Sequence, residues 1–305
     1  MAGDRTTRIG RRLVGTAAEI AAGGPESVLY QHTVLCQTAL PYRDPGDETR
    51  TWERRNGEAR LKLIAGEVLH PVTDEFVPVG LPFGPKPRLI LAHLNAEAIR
   101  SRSRMIPVGD SLTGFVERLG LATHGRNVRA IKDQLARLAA ASIRMGVARD
   151  GRSITINSQI VGAFDLWCEK DGRQRALWPA TVKLSEDYFD SLIRHAVPLD
   201  ERALAALSHS AMALDVYAWL AQRLNRIVRG QRVFLPWTAL QAQFGGGYDR
   251  VRDFRRVFMQ ALRQVLSQYQ GARVEVDERG MTLWASPPPV KGRTAIVVSR
   301  PEPGG

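Results

Sequence analysis

One plan is written twice in this sequence. "RMIPVGDSLTGFVERLGL" from Arg104 and "RVFLPWTALQAQFGGGY" from Arg232 each begin as a short apolar strand and continue into a helix. Further on, "SIRMGVARDGRSITI" and "GARVEVDERGMTLW" are each two short alternating strands about a tight turn, centred on Asp150-Gly151 and Arg279-Gly280. Pro107 and Pro236, Phe115 and Phe244, Arg144 and Arg273, and Gly151 and Gly280 all stand 129 residues apart. Such a repeat restricts the chain to two similar units in tandem.

Between the matched ends each copy holds one basic helix, "RNVRAIKDQLARLAAA" from Arg126 and "YDRVRDFRRVFMQALRQVL" from Tyr248. Val128, Ile131, Leu135, Leu138 and Ala139 make the apolar stripe of the first, and Val251, Phe254, Phe258, Leu262 and Val265 that of the second. The helices do not align at a strict 129, so the match is one of architecture. Each block follows a longer amphipathic helix, "RLILAHLNAEAIRSRS" from Arg88 and "SAMALDVYAWLAQRLNRIV" from Ser210. Helix, short strand, helix, basic helix and hairpin is the order of a winged helix-turn-helix, with the hairpin as wing.

The fold class expected is therefore α+β, two tandem winged helix-turn-helix domains, the first with an extra N-terminal β-element. Asp110 is the expected N-cap in the first copy, and Thr238 with Gln241 a capping box in the second. "LYQHTVLCQTAL", "EARLKLIAGEVL" and "DEFVPVGL" read as strands joining or covering the first wing's sheet, separated by the charged loop "PYRDPGDETRTWERRNGE". "FDLWCEKDGRQRALWPATVKL" reads as a further hairpin, after which Ser185 opens a helix with Glu186 and Asp187 in its first turn. The expected divisions are a flexible basic arm over 1–25, an N-terminal winged-helix domain over 26–180, a C-terminal one over 181–290 and a flexible tail over 291–305.

Charge narrows the partners. Lys and Arg number 43 against 31 Asp and Glu, a net +12, which suits nucleic acid or an anionic membrane. Charged residues interrupt every long apolar run, so no spanning helix is expected, and the arginine-bearing N-terminus is broken by Glu19 before it resembles a secretory signal. Cys36 and Cys168 suggest neither a disulfide framework nor a zinc site, and the expected location is the reducing cytoplasm.

A recognition helix needs an apolar face to anchor it and a basic, hydrogen-bonding face to enter the major groove. Base reading by the N-terminal part of that helix selects Arg126, Asn127, Arg129 and Lys132 in the first copy, and Arg250, Arg252, Arg255 and Arg256 in the second. Arg149 and Arg152 flank the first wing's turn and Arg279 lies at the second, as phosphate or minor-groove contacts. The bland alternative is a solvated helix face, and repetition in a basic chain argues against it.

No catalytic constellation accompanies these helices. The six histidines form neither a His-x-His pair nor a His-Glu-x-x-His, and "FGPKPR" and "FGGGYDR" lack the spacing of a phosphate loop. Glu186, Asp187 and Asp190 could hold Mg²⁺, but the helix dipole already accounts for them. Neither an enzyme, a metal nor a cofactor is expected, although a nickase using Tyr248 is the competing enzyme reading.

The wording also resembles the plasmid-encoded RepA-type replication initiators of proteobacteria. The resembling stretches include "LCQTALPYR", "ERRNGEARLKLIAGE", "LPFGPKPRLILAHLNAEAIRSRSRMIPVGDSLTGFVERLGL", "RALWPATVKLSEDYFDSLIRHAVPLDERALAALSHSAMALDVYAWLAQRL", "ALRQVLSQYQGARVEV" and "SPPPV", from about residue 30 to 290. The resemblance implies binding to repeated double-stranded origin sites, help in opening the duplex, and recruitment of host replication proteins such as helicase and initiator. It further implies autorepression through a homodimer. A transcriptional repressor without a replication role is the alternative with the same DNA-binding physics.

Overall fold

The structure, a computed structural model, describes residues 7–70, 73–107, 111–149, 152–163 and 181–290. The N-terminal part runs α1 (Arg8–Ala22), β1 (Val28–His32), α2 (Thr33–Gln37), β2 (Thr51–Asn56), β3 (Ala59–Ile64), β4 (Glu67–His70) and β5 (Glu75–Pro78). The first copy follows as α3 (Pro85–Ser101), β6 (Met105–Pro107), α4 (Leu112–Arg118), α5 (Gly125–Ala140), β7 (Ser142–Arg149) and β8 (Arg152–Gln159). Then come β9 (Val161–Ala163), β10 (Thr181–Leu184), α6 (Glu186–His195), β11 (Ala196–Asp200) and α7 (Glu201–Leu207). The second copy is α8 (Ala211–Leu224), β12 (Arg232–Pro236), α9 (Trp237–Phe244), α10 (Val251–Gln268), β13 (Val274–Val276) and β14 (Gly280–Trp284). Helix, strand, helix, helix and hairpin thus occur twice in the expected order, in a mixed α and β chain.

The second copy closes its own sheet, in the order β12-β14-β13. Its turn is set by Asp277, whose Oδ1 accepts the N–H groups of Arg279 at 2.7 Å and Gly280 at 2.8 Å. Gly280 is required by close approach, because a Cβ there would lie 2.1 Å from the Leu235 carbonyl oxygen on β12. Phe254 and Phe258 of α10 are fully buried; Phe258 packs against Phe244, Trp237 and Phe254, with ring centroids 5.3 to 6.0 Å apart. Each such ring stabilises by roughly 1.5–3 kcal/mol through area alone, so the apolar stripe fixes the helix from one side.

The first copy shares its sheets with the rest of the chain. Its hairpin joins a four-stranded sheet, β2-β3-β7-β8, in which β3 is the one expected N-terminal strand to join the first wing; β1 instead pairs with β11, β5 pairs with β4 apart from it, and β6 pairs with β10 in the order β6-β10-β9. The β7–β8 register ends with Arg149 opposite Arg152, and Asp150 and Gly151 lie outside the described residues. Of the hairpin expected over 164–184 only β10 lies among the described residues, where it pairs with β6 and β9; residues 164–180 lie outside them.

Several boundaries differ from expectation. "TVLCQ" is the helix α2, not strand, because the His32 ring accepts the Val34 N–H at 3.2 Å and caps it. β2 lies within the segment read as a charged loop. It is held by Trp52 Nε1 donating to the Ala39 carbonyl and by Asn56 Nδ2 donating to that of Gln37. α4 is capped by Ser111, whose Oγ accepts the Gly114 N–H at 3.1 Å; the expected cap Asp110 lies outside the described residues. Thr238 does not cap α9, which starts after Pro236; the Trp237 N–H instead donates to the Arg279 carbonyl across the sheet.

The arm expected to be flexible over 1–25 contains α1. Thr7 caps it, Leu13 and Ile20 pack on the core, and Gln268 donates to the Leu13 carbonyl while Arg12 donates to that of Ala206. A single apolar side suffices once α7 and α10 offer it a surface. The tail from residue 291 lies outside the described residues.

Hydrogen bonding crosses the expected division at residue 180. β10 completes a sheet with β6, and β1 pairs with β11 along its whole length. Arg88 on α3 reaches Asp215 on α8 through two hydrogen bonds of 2.6 and 2.7 Å, with both side chains buried. These are the first helices of the two copies, so a buried ion pair ties equivalent elements together. Arg88 also donates to the carbonyls of Leu40, Gly84 and, at 3.4 Å, Pro41, which satisfies the rest of its fork.

Candidate nucleic-acid interface

Both basic helices present arginine to solvent, but the two surfaces are built differently. On α5, Arg126 and Arg129 are exposed, whereas Asn127 and Lys132 are half-buried. The Asn127 side-chain amide donates to the Ala122 carbonyl at 2.8 Å, and its backbone N–H donates to His124 Nδ1 at 3.3 Å. Half of the amide needed to read adenine therefore already holds the helix start. One turn further, Asp133 pairs with Arg137 at 3.1 Å, so the exposed positive row covers only the first turns of α5.

At α10 the N-cap residue Arg250 and, on the helix, Arg252 and Arg256 are exposed, and Arg263 extends the row toward the far end. Arg252 and Arg256 are one turn apart and share a face. Arg255 is half-buried: its guanidinium lies 5.0 Å from the Trp237 ring and donates to the Asp277 carbonyl at 3.3 Å. Trp237 Nε1 donates to the same carbonyl at 3.1 Å. The carbonyl of one hairpin residue thus receives donors from α9 and α10, which carries the turn, and Arg279 within it, beside the second turn of α10. The Arg279 guanidinium sits 5.8 Å from the Phe234 ring.

The hairpin of the first copy brings the backbones of Arg149 and Arg152 opposite one another. Their side chains lie outside the described residues. Two contributors escaped the sequence reading. Asp277 organises the second turn, and its signal was an Asp three residues before Gly280. Arg54 stacks 3.6 Å over Trp52 and presses on the glycine run, where a Cβ on Gly246 would lie 1.9 Å from its guanidinium. The glycines of "FGGGYDR" thus admit a neighbouring side chain, without a bound phosphate being needed to explain them.

Among the described residues no group of three or more His, Cys, Asp or Glu side chains could hold a metal ion, and no helix is long and apolar enough to cross a membrane. The two arginine-bearing helix surfaces are the chemical feature that the duplicated architecture repeats. They define a class of chain with two basic helices, each seated on its own helix pair and flanked by a hairpin.

The model of the plasmid-encoded RepA protein family matches residues 81–238, just over half of the sequence, and the chain belongs to that family. The match spans the first copy and the opening of the second. Among solved structures, the selenomethionine form of domains 2 and 3 of RctB is similar with a TM-score of 0.51 at 11% identity, covering 82% of this chain and 96% of that one. A second RctB structure, of residues 155–483, gives a TM-score of 0.49 at 9% identity and covers 82% and 94%. The first likeness concerns the fold alone. No curated protein sequence matches this chain significantly.

Proposed function

We propose that the chain is a plasmid replication initiator that binds repeated double-stranded origin sites through two winged helix-turn-helix units. One observation carries this reading: α5 and α10 occupy equivalent positions in a duplicated plan and both expose arginine at their N-terminal turns, in a chain of net charge +12. Membership of the RepA family supports the initiator role. In the second unit the strand order β12-β14-β13 and the hairpin beside α10 support the wing assignment.

In this reading Arg126 and Arg129 enter one groove segment and Arg250, Arg252 and Arg256 another, while Arg279, with Arg149 and Arg152 at the other wing, contacts flanking phosphates. Asn127 and Arg255 act from behind, fixing the helix start and the wing. The unit works as a binding protein without catalysis or cofactor, in the cytoplasm, and represses its own promoter. Host helicase and initiator proteins and a second copy of the chain are its further partners.

Fluorescence anisotropy with duplexes carrying short direct repeats, a single palindrome or scrambled sequence tests the proposal. Tightest binding to the direct repeats, at fixed salt, is expected. Preference for the palindrome would favour a plain repressor, and equal binding to all three would remove sequence reading altogether.

A further inference from the structure

The most basic parts of the molecule have an opposite at one site. β4 and β5 form a two-stranded hairpin outside the other sheets. Residues 67–78 include Glu67, Asp74 and Glu75 and no Lys or Arg. All four residues of β5 are exposed, and Phe76 at 69%, Leu69 at 47% and Val77 at 39% carry large apolar surface into water. A lone two-stranded hairpin is marginally stable in water, and an uncovered edge is a template for another strand.

The hairpin is nevertheless fixed at its base. Val79 N–H donates to the Gly66 carbonyl at 3.1 Å, and Arg50 donates to the carbonyls of Gly66 and Val79. Gly66 packs so closely on the end of α5 that a Cβ there would lie 2.1 Å from the Ala140 oxygen. That end is about 20 Å along the helix from Arg126, at roughly 1.5 Å per residue. With three acids and no Lys or Arg, this hairpin surface is a poor match for DNA phosphates.

A fitting occupant is extended, apolar and flanked by positive charge. The sequence contains one such stretch outside the described residues, "RTAIVVSR" at 293–300, preceded by Lys291. Thr294, Ile296, Val297 and Val298 are β-branched, Arg293 and Arg300 bracket them, and no acid occurs between residues 279 and 301. We propose that the segment 293–300 docks on the free edge of β5, covering Phe76 and Val77, with its arginines set against Glu67, Asp74 and Glu75. The N-terminal β4–β5 hairpin would then be the receptor for the segment that follows the second copy.

The test replaces Phe76 with photoreactive benzoylphenylalanine in the full chain, irradiates it without DNA and maps adducts by mass spectrometry. The exposed position tolerates the larger ring. Adducts within 291–300 are expected, and Ile296→Asp with Val298→Asp should reduce them at least tenfold. Reversing the hairpin acids (Glu67→Lys, Asp74→Lys, Glu75→Lys) should lower the yield several-fold, and adding Arg293→Glu and Arg300→Glu should restore it. No adduct, adducts elsewhere, or a yield indifferent to the tail substitutions would overturn the proposal, whatever the chain does with DNA.

Discussion

The two copies share an order of elements and differ in how much of each is self-contained. In the second, β12, β13 and β14 close one sheet and an aromatic cluster of Trp219, Trp237, Phe244, Phe254 and Phe258 fills the space below α10. In the first, the hairpin is built into a sheet with β2 and β3, and β6 takes its partner from beyond the copy. The matched rings Phe115 and Phe244 make the point in one contact. Phe244 meets Trp219 edge-on at 5.2 Å, whereas Phe115 meets His93 edge-on at 5.5 Å. A duplicated plan has thus kept its geometry while one copy came to depend on its surroundings and on a titratable ring.

The largest expected effect breaks the tie between the copies. Asp215→Ala leaves Arg88 buried beside an empty position, and loss of one partner of a buried pair costs about 3–5 kcal/mol. Burial pushes the Asp215 carboxyl up, against the pull of Arg88. Denaturant titration should show that loss, and hydrogen exchange should show the copies opening separately. Unchanged stability would mean that the β1–β11 and β6–β10 pairings hold them together without the ion pair.

Acid should separate the copies next. Burial lowers the His93 pKa to about 4, and its Nδ1 has no hydrogen-bond partner among the described residues. The folded value is depressed, so the contribution of neutral His93 is complete above the unfolded pKa near 6.5 and is lost as pH falls toward about 4. At pH 5 the loss is about 2 kcal/mol. Hydrogen exchange at pH 8 and pH 5 should show α3 and α4 losing protection before α9 and α10, and His93→Leu should flatten that difference. His32, lowered to about 3 by burial and then by His195, adds a similar loss at the junction.

A smaller effect separates roles within one helix. Arg255→Ala removes a ring contact and a hydrogen bond to the second hairpin, costing about 1–2 kcal/mol. Arg252→Ala should leave stability within about 0.5 kcal/mol, as for other exposed positions. Thermal denaturation of the two variants, each set beside its DNA affinity, checks the assignment. Equal stability would return Arg255 to the reading surface.

The basic helices were legible because a helix stripe is a local signal: Ile131 and Leu135, like Phe254 and Phe258, recur at the spacing that buries one face. Element partners were not. The 129-residue offset located β6 opposite β12, but it could not say that β6 pairs with β10 while β12 pairs with β14. β2 was missed because neither face is fully buried; Glu53 and Arg55 alternate with half-buried Trp52 and Arg54. Arg255 reads like Arg252 in sequence, and the nearby Asp277 carbonyl and Trp237 ring distinguish them.

The central claim is that both basic helices engage one duplex together, and the salt dependence of its affinity tests this most directly. Between 50 and 200 mM salt, six to ten phosphate contacts predict a loss of about 10³–10⁵ in affinity for the unaltered chain. Arg126→Ala with Arg129→Ala, and separately Arg252→Ala with Arg256→Ala, should each make the slope shallower by about 1.8, at about 0.9 per phosphate contact. A flat response, or a slope that changes with one pair and ignores the other, would contradict it.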